Sequence, residues 1–241
     1  VIVTNAIVDQ NRTTNRLDER GGETFEIGVR NRIADLAVFG QGTLALNRTL
    51  HGTLGVRWSY SRMKTDLISF LPNDEEEYDA ARRQGRGRLL PTLALNWTIS
   101  PALTGYLRFQ QGYRAGGISI AFSTVSAFQS DSLDMVEGGL RFGRDAPGAV
   151  RGAVALSSSW WRNIQADING PDGPYTANVG TGRIFALEAN AAWRVRTHTT
   201  ISGAIFVNDS RLTDPADGSE NSRSEMLPNI ARLTARAGID Q

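Results

Sequence analysis

The sequence predicts an all-β, antiparallel fold of the transmembrane β-barrel type, and three observations predict it. Apolar and polar residues alternate over segments of strand length. The connections between these segments are alternately short and long, as in barrels whose periplasmic turns are tight and whose extracellular loops are extended. Trp and Tyr gather near both ends of the segments, where an apolar ring with a polar tip suits a membrane interface. About ten strands are readable, and no segment sustains a helical period.

The elements follow in order. A strand is predicted at 1–8 and another at 33–46. From there Leu54, Val56, Trp58 and Tyr60 alternate with Gly55, Arg57, Ser59 and Ser61. Leu89, Pro91, Leu93, Leu95, Trp97 and Ile99 form the next apolar face, against Thr92, Ala94, Asn96 and Thr98. Leu103, Leu107 and Phe109 oppose Thr104, Tyr106, Arg108 and Gln110. Strands at 135–144 and 149–166 precede the set Phe185, Leu187, Ala189, Ala191, Trp193 and Val195, whose other face carries Glu188, Asn190 and Arg194. Strands at 199–209 and 230–240 complete the series.

Short turns are expected at Asn47 to Leu50, Ser100 to Ala102, Asp145 to Gly148 and Arg196 to His198. Long polar connections are expected at 66–87, 115–134, 169–178 and 211–228. This gives each strand a direction. Trp97 and Trp193 then fall at the short-turn end, and Tyr60, Tyr113 and Trp160 at the long-loop end.

Composition removes several function classes. No run approaches the roughly 20 apolar residues of a membrane-spanning helix. A barrel strand needs only about 9–11 alternating residues, so an apolar fraction of 40% is compatible with a membrane barrel. No cysteine is present, which excludes disulfide frameworks and thiolate sites. The charge is +1, from 26 basic and 25 acidic residues in interspersed order, so there is no electrostatic footprint for nucleic acid. Lys64 is the sole lysine; the arginines elsewhere suit bidentate networks on a wet wall.

Catalysis is not expected. The two histidines, His51 and His198, lie at short turns, away from the loops where a histidine base would serve an outer site. The acidic run Asp74-Glu75-Glu76-Glu77 with Asp79 lacks the ligand spacing and the glycine of a calcium loop and reads as a solvated loop. Gly112 to Gly117 lacks the strand, turn and helix context of a phosphate loop, and its glycines suit a bend at a strand top. No metal or cofactor site is expected. Glu137, Arg141, Glu188, Arg194, Arg57 and Arg108 share the polar face, which in a barrel points to the lumen. The candidate ligand contacts are Tyr113 and Arg114, at the loop-side end of a strand, with Arg108 below them on the polar face.

Several short motifs occur in one order. Arg88 to Thr98, Ser100-Pro101-Ala102-Leu103-Thr104-Gly105-Tyr106 and Gln111-Gly112-Tyr113-Arg114-Ala115-Gly116-Gly117 follow Val38-Phe39-Gly40-Gln41 and Leu54-Gly55-Val56-Arg57-Trp58. Glu137-Gly138-Gly139-Leu140-Arg141, Asn163-Ile164-Gln165, Asn178-Val179-Gly180 and Ala186-Leu187-Glu188 come after them. This ordered set, over roughly residues 33–240, resembles the barrel of TonB-dependent outer-membrane receptors.

The resemblance implies a plug inside a barrel of about 22 strands, energised through TonB by a segment near the N-terminus. It implies uptake of a scarce solute across the outer membrane of a Gram-negative bacterium, with a ferric siderophore or a similar small molecule or metal chelate as ligand. The chain begins Val1-Ile2-Val3-Thr4 and ends Ala237-Gly238-Ile239-Asp240-Gln241, without a plug, a TonB-contact segment or a terminal aromatic strand. The expectation is therefore that residues 1–241 form an interior section of such a barrel, in contact with outer-membrane lipid. Two rival readings are a complete small passive or adhesion barrel and a soluble all-β binding domain with its apolar rows between two sheets.

Overall fold

The computed structural model describes residues 4–10, 15–16, 26–70, 82–121, 124–170, 173–216, 227 and 230–241. Among these residues there are strands and no α-helix. In chain order they are β1 (Thr4–Gln10), β2 (Asn15–Arg16), β3 (Glu26–Ala45), β4 (Leu50–Phe70) and β5 (Arg82–Ser100). Next come β6 (Leu103–Arg114), β7 (Gly117–Ala121), β8 (Thr124–Phe128), β9 (Asp131–Gly143) and β10 (Val150–Arg162). The last are β11 (Gln165–Gly170), β12 (Gly173–Asn178), β13 (Gly180–Arg196), β14 (Thr199–Pro215) and β15 (Leu233–Asp240).

One 11-stranded antiparallel sheet runs in the order β1-β3-β4-β5-β6-β9-β10-β13-β14-β15, with β2 paired to β3. Neighbours in the sheet are neighbours in sequence except at β1-β3, where β2 intervenes, and at two later steps, where β6 meets β9 and β10 meets β13. Those two later steps skip the hairpins β7-β8 and β11-β12, which sit at the long-loop end. β1 and β15 occupy opposite ends and do not pair with each other among the described residues, so the sheet is open. The small closed barrel expected as one rival is therefore not formed by these strands. No second sheet covers the apolar rows among the described residues, which removes the sandwich reading.

The alternation in sequence becomes two faces because successive side chains on a strand point to opposite sides. Register then aligns like with like. Leu54, Leu93, Phe109 and Val136 form one row across β4, β5, β6 and β9. Leu156, Leu187, Val207 and Leu233 form another across β10, β13, β14 and β15. Leu54, Leu89 and Leu156 on this face are 63%, 62% and 63% exposed, while Ser59, Ser61 and Ser159 on the other are 5%, 5% and 6% exposed. That contrast places the polar residues on the concave side and the apolar ones on the convex side, as in a wall with lipid outside and a wet lumen.

The height of the apolar belt can be read from the register. Trp97 lies ten residues along β5 from Gly87, the partner of Tyr60, and Trp193 lies ten residues along β13 from Arg183, the partner of Trp160. At about 3.3 Å per residue and a tilt of about 40° this is roughly 25 Å, the height of a membrane barrel's apolar band. Trp58 and Tyr60 stack with ring centroids 6.2 Å apart at the upper boundary.

All four short turns are where the sequence puts them. Asn47 builds the first by accepting hydrogen bonds at Oδ1 from the Thr49 amide (2.8 Å), the Thr49 hydroxyl (3.1 Å) and the Leu50 amide (2.9 Å). Asn47→Ala removes all three, and the expected loss is about 1–2 kcal/mol of stability, measurable as a lower midpoint in denaturant unfolding. Gly143 closes the turn before β10 with φ 93, and a Cβ there would lie 2.0 Å from the Val150 carbonyl oxygen, so no other residue fits.

The long connections are shorter than expected. β4 continues to Phe70 and β5 starts at Arg82, within the predicted loop 66–87, and β14 continues to Pro215. The predicted loops 115–134 and 169–178 contain the β7-β8 hairpin and most of β11-β12. The single strand predicted over 149–166 breaks at Asn163, whose φ of 53 turns the chain before β11. For the upper parts of β5 and β14 and for β11-β12 there is one physical reason. Beyond the membrane both faces of a strand are solvated, so pairing persists without the apolar alternation that reveals a strand in sequence. The acidic run at 74–79 lies outside the described residues.

Candidate functional site on the inner face

The concave face of β4, β5, β6 and β9 carries Arg57, Arg86, Arg88, Arg108 and Arg141. Register puts them on one side: Arg57 opposes Leu90, Arg86 opposes Ser61, Arg88 opposes Ser59, Arg108 opposes Glu137 and Arg141 opposes Thr104. Asp35 on β3, opposite Ser61, and Glu137 are the acids of the same region. Among the described residues only Arg108 of the five has a carboxylate within ion-pair distance, Glu137 at 3.1 Å. Arg57 donates to the Ser59 hydroxyl (2.9 Å), and Arg141 lies 4.6 Å over the Tyr106 ring. Arg86 and Arg88 both donate to the Ser130 hydroxyl, at 3.3 and 3.2 Å. The Nε atoms of Arg88 and Arg108 are buried without a protein partner. An excess of guanidinium groups with unused donors on a concave wall is an anion-attracting surface.

Above this band lies a cavity of about 490 Å³, within the range of small-molecule sites. Ser61, Met63, Arg86, Tyr113, Phe128 and Ser130 line it. By strict alternation Tyr113 would share the outward face of Leu107 and Phe109. It lines the cavity instead, at a level where β5 and β6 no longer pair, their ladder ending at Thr92 and Gln110.

A buried carboxylate joins the strand ends from which the loop-side hairpins leave the wall. Asp131, 2% exposed, starts β9 and accepts from the Arg114 amide (3.1 Å), Arg114 Nε (2.9 Å), Arg114 Nη2 (2.5 Å) and Trp161 Nε1 (2.9 Å). The Arg114 guanidinium also lies 5.3 Å over the Trp161 ring and donates to the Gln165 carbonyl (3.2 Å). Gln165 Nε2 in turn donates to the carbonyls of Ala115 (2.9 Å) and Gln129 (3.0 Å). Asn178 closes the ring: its Oδ1 accepts from the Gln129 amide, and its Nδ2 donates to the carbonyls of Gln129 and Asn163. Beside this clasp Ile164, Leu212 and Leu227 form a small apolar core, with Ile164 2% exposed.

The sequence-predicted contacts therefore separate. Arg108 stands in the arginine band and Tyr113 in the cavity wall, whereas Arg114 is committed to Asp131. Arg194 pairs with Asp145 at 3.1 Å beside a short turn, remote from this cluster. Asp131, Ser130, Trp161, Gln165 and Asn178 were not singled out as a site from sequence. The motifs Asn163-Ile164-Gln165 and Asn178-Val179-Gly180 did mark two of their positions, but nothing local tells that Asp131 will be buried. Among the described residues no three His, Asp or Glu side chains gather in a way that could hold a metal.

Comparison with known proteins gives the wall its relatives. The chain is similar in fold to the ferric yersiniabactin uptake receptor FyuA from Yersinia pestis, with TM-score 0.73 and 18% identity over 89% of this chain and 32% of that one. For the copper transporter OprC the TM-score is 0.65 and the identity 14%, over 95% of this chain and 40% of that one. The alcaligin outer-membrane receptor FauA from Bordetella pertussis gives 0.56 and 16%, over 90% and 35%. The chain thus spans 32% to 40% of the length of these structures, and at such identities the likeness concerns fold alone. No curated protein matches in sequence. The profile of the TonB-dependent receptor-like β-barrel matches residues 5–241, nearly the whole chain, and with the open antiparallel wall described above it shows that the chain belongs to that family.

Proposed function

We propose that this chain is a wall section of an outer-membrane receptor that takes up a scarce, anionic small molecule or metal chelate, such as a ferric siderophore, by TonB-dependent active transport. The complete receptor would enclose a plug in a barrel of about 22 strands and engage TonB through a segment N-terminal to the barrel. The reading rests on family membership, and the arginine band supports the choice of an anionic solute. Arg57, Arg86, Arg88 and Arg141 have no carboxylate at ion-pair distance among the described residues, and Arg86 lines the cavity. Arg108 and Tyr113 are the contacts assigned to the solute, and Arg114 acts at one remove by holding Asp131. The chemistry is binding and release, with no bond made or broken by the protein.

Cells making the full-length protein with Arg86→Glu and Arg88→Glu are expected to lose about tenfold or more in uptake of an anionic ferric chelate, with unchanged surface levels. Uptake by the native protein should stop when the proton gradient is collapsed. Accumulation that persists without the gradient would overturn the active-transport reading. Equal uptake by variant and native protein would overturn the role of the arginines.

A further inference from the structure

A second cationic site lies on the opposite, convex face, at the upper edge of the apolar belt. Arg183 on β13 faces Arg211 on β14 directly across the ladder. Like charges at directly opposed positions destabilise a sheet unless something between them carries the opposite charge. The Arg183 guanidinium lies 5.5 Å from the ring centroids of both Trp160 and Phe185, so two aromatic faces hold it in place. No carboxylate lies within ion-pair distance of Arg183 among the described residues. Arg211 is held by Asp209 at 2.9 Å and remains 60% exposed. Farther along the same row, Arg162 and Asp134 neutralise each other. The row therefore carries one uncompensated positive charge, at Arg183, with the spare donors of Arg211 beside it.

Height and neighbours identify the occupant. Directly below the pair are Phe185 and Asp209, the carboxylate already engaged by Arg211, and below these Leu187 and Val207, all on the outward face. Arg183 stands ten residues above Trp193 on the same strand, roughly 25 Å above the lower aromatic boundary, which is the level at which acyl chains give way to headgroups. A planar guanidinium pair at that level matches the oxygens of a phosphate, whose acyl chains would run down over the Leu187 and Val207 row.

We propose that Arg183 and Arg211 bind the phosphate of an outer-leaflet lipid, making this edge of the wall a lipid-headgroup site. The proposal rests on the outer-membrane placement above and is independent of what is transported.

The test is native mass spectrometry of the full-length protein released from nanodiscs that contain a phosphorylated lipid A, or the same lipid after enzymatic dephosphorylation. The native protein should retain the phosphorylated lipid, and the Arg183→Gln, Arg211→Gln double variant should retain about tenfold less. Arg211→Gln alone, a change at an exposed side chain, should fall between the two. Millimolar inorganic phosphate should not displace the lipid, because the acyl chains contribute to binding; displacement would assign the site to free phosphate and overturn the lipid proposal. Equal retention of the dephosphorylated lipid, or equal retention by the double variant, would overturn it as well. Chelate uptake should be unchanged in these variants, so failure here is distinct from failure of the transport reading.

Discussion

Replacing Asp131 with alanine is expected to release the loop-side hairpins from the wall while leaving the membrane-spanning sheet intact. The carboxylate takes four hydrogen bonds in a site that excludes water, two of them from the Arg114 guanidinium. Charge-assisted bonds of this kind contribute about 1.5–3 kcal/mol each, though they do not add. The guanidinium of Arg114 is 54% exposed and can turn to water, so the greater loss falls on Trp161 Nε1 and the Arg114 amide. A cost on the order of 3–5 kcal/mol follows for docking of the β7-β8 and β11-β12 hairpins. Protease added to intact cells should cut the variant between 115 and 130 or between 163 and 180 well before the native protein. Asp131→Asn keeps an acceptor for Trp161 and loses the charge, and should be cut at an intermediate rate. Cleavage of all three at one rate would mean that the clasp does not hold the hairpins.

The second large effect should separate two adjacent residues. Leu93 faces outward, four residues from Trp97 and six from Gly87, near the middle of the apolar belt. Leu93→Arg puts a guanidinium at the membrane midplane, at a cost of about 2–4 kcal/mol. Thr92 faces inward, opposite Gln110, where an arginine remains in water beside other polar groups. Thr92→Arg is therefore expected to assemble normally, while Leu93→Arg accumulates as unassembled chain. The fraction that stays compact on unheated gel electrophoresis measures this. Equal assembly of the two variants would show that the faces have been assigned the wrong way round.

Much of the wall is legible in the sequence. Leu54 to Tyr60, Leu89 to Ile99 and Phe185 to Val195 declare their two faces because side-chain direction alternates with a period of two along any strand. The tight turns at Asn47 and at Asp145 to Gly148 declare themselves through residues that accept local hydrogen bonds or positive φ. The family followed from the order of the motifs. Less was legible where selection for alternation ends. The upper parts of β5 and β14 and the β11-β12 hairpin are paired backbone with mostly polar residues on both faces, and the alternation in β7 and β8 is too short to stand out from a loop.

The site divides in the same way. Which residues face the lumen is a local property, so Arg57, Arg108, Glu137 and Arg141 could be placed from sequence. Which of them meets a carboxylate depends on the register between strands far apart in the chain. Register gave Glu137 to Arg108 and Asp131 to Arg114, and left Arg86 and Arg88 sharing one serine hydroxyl. It also set Arg183 against Arg211 on the outer face. Sequence alone determined the strands of the apolar belt, their two faces and their directions, since these follow from covalent geometry and from the solvent on each side. The tertiary structure decided the partners, because a hydrogen bond or an ion pair depends on ångström-scale distances that only the assembled sheet defines.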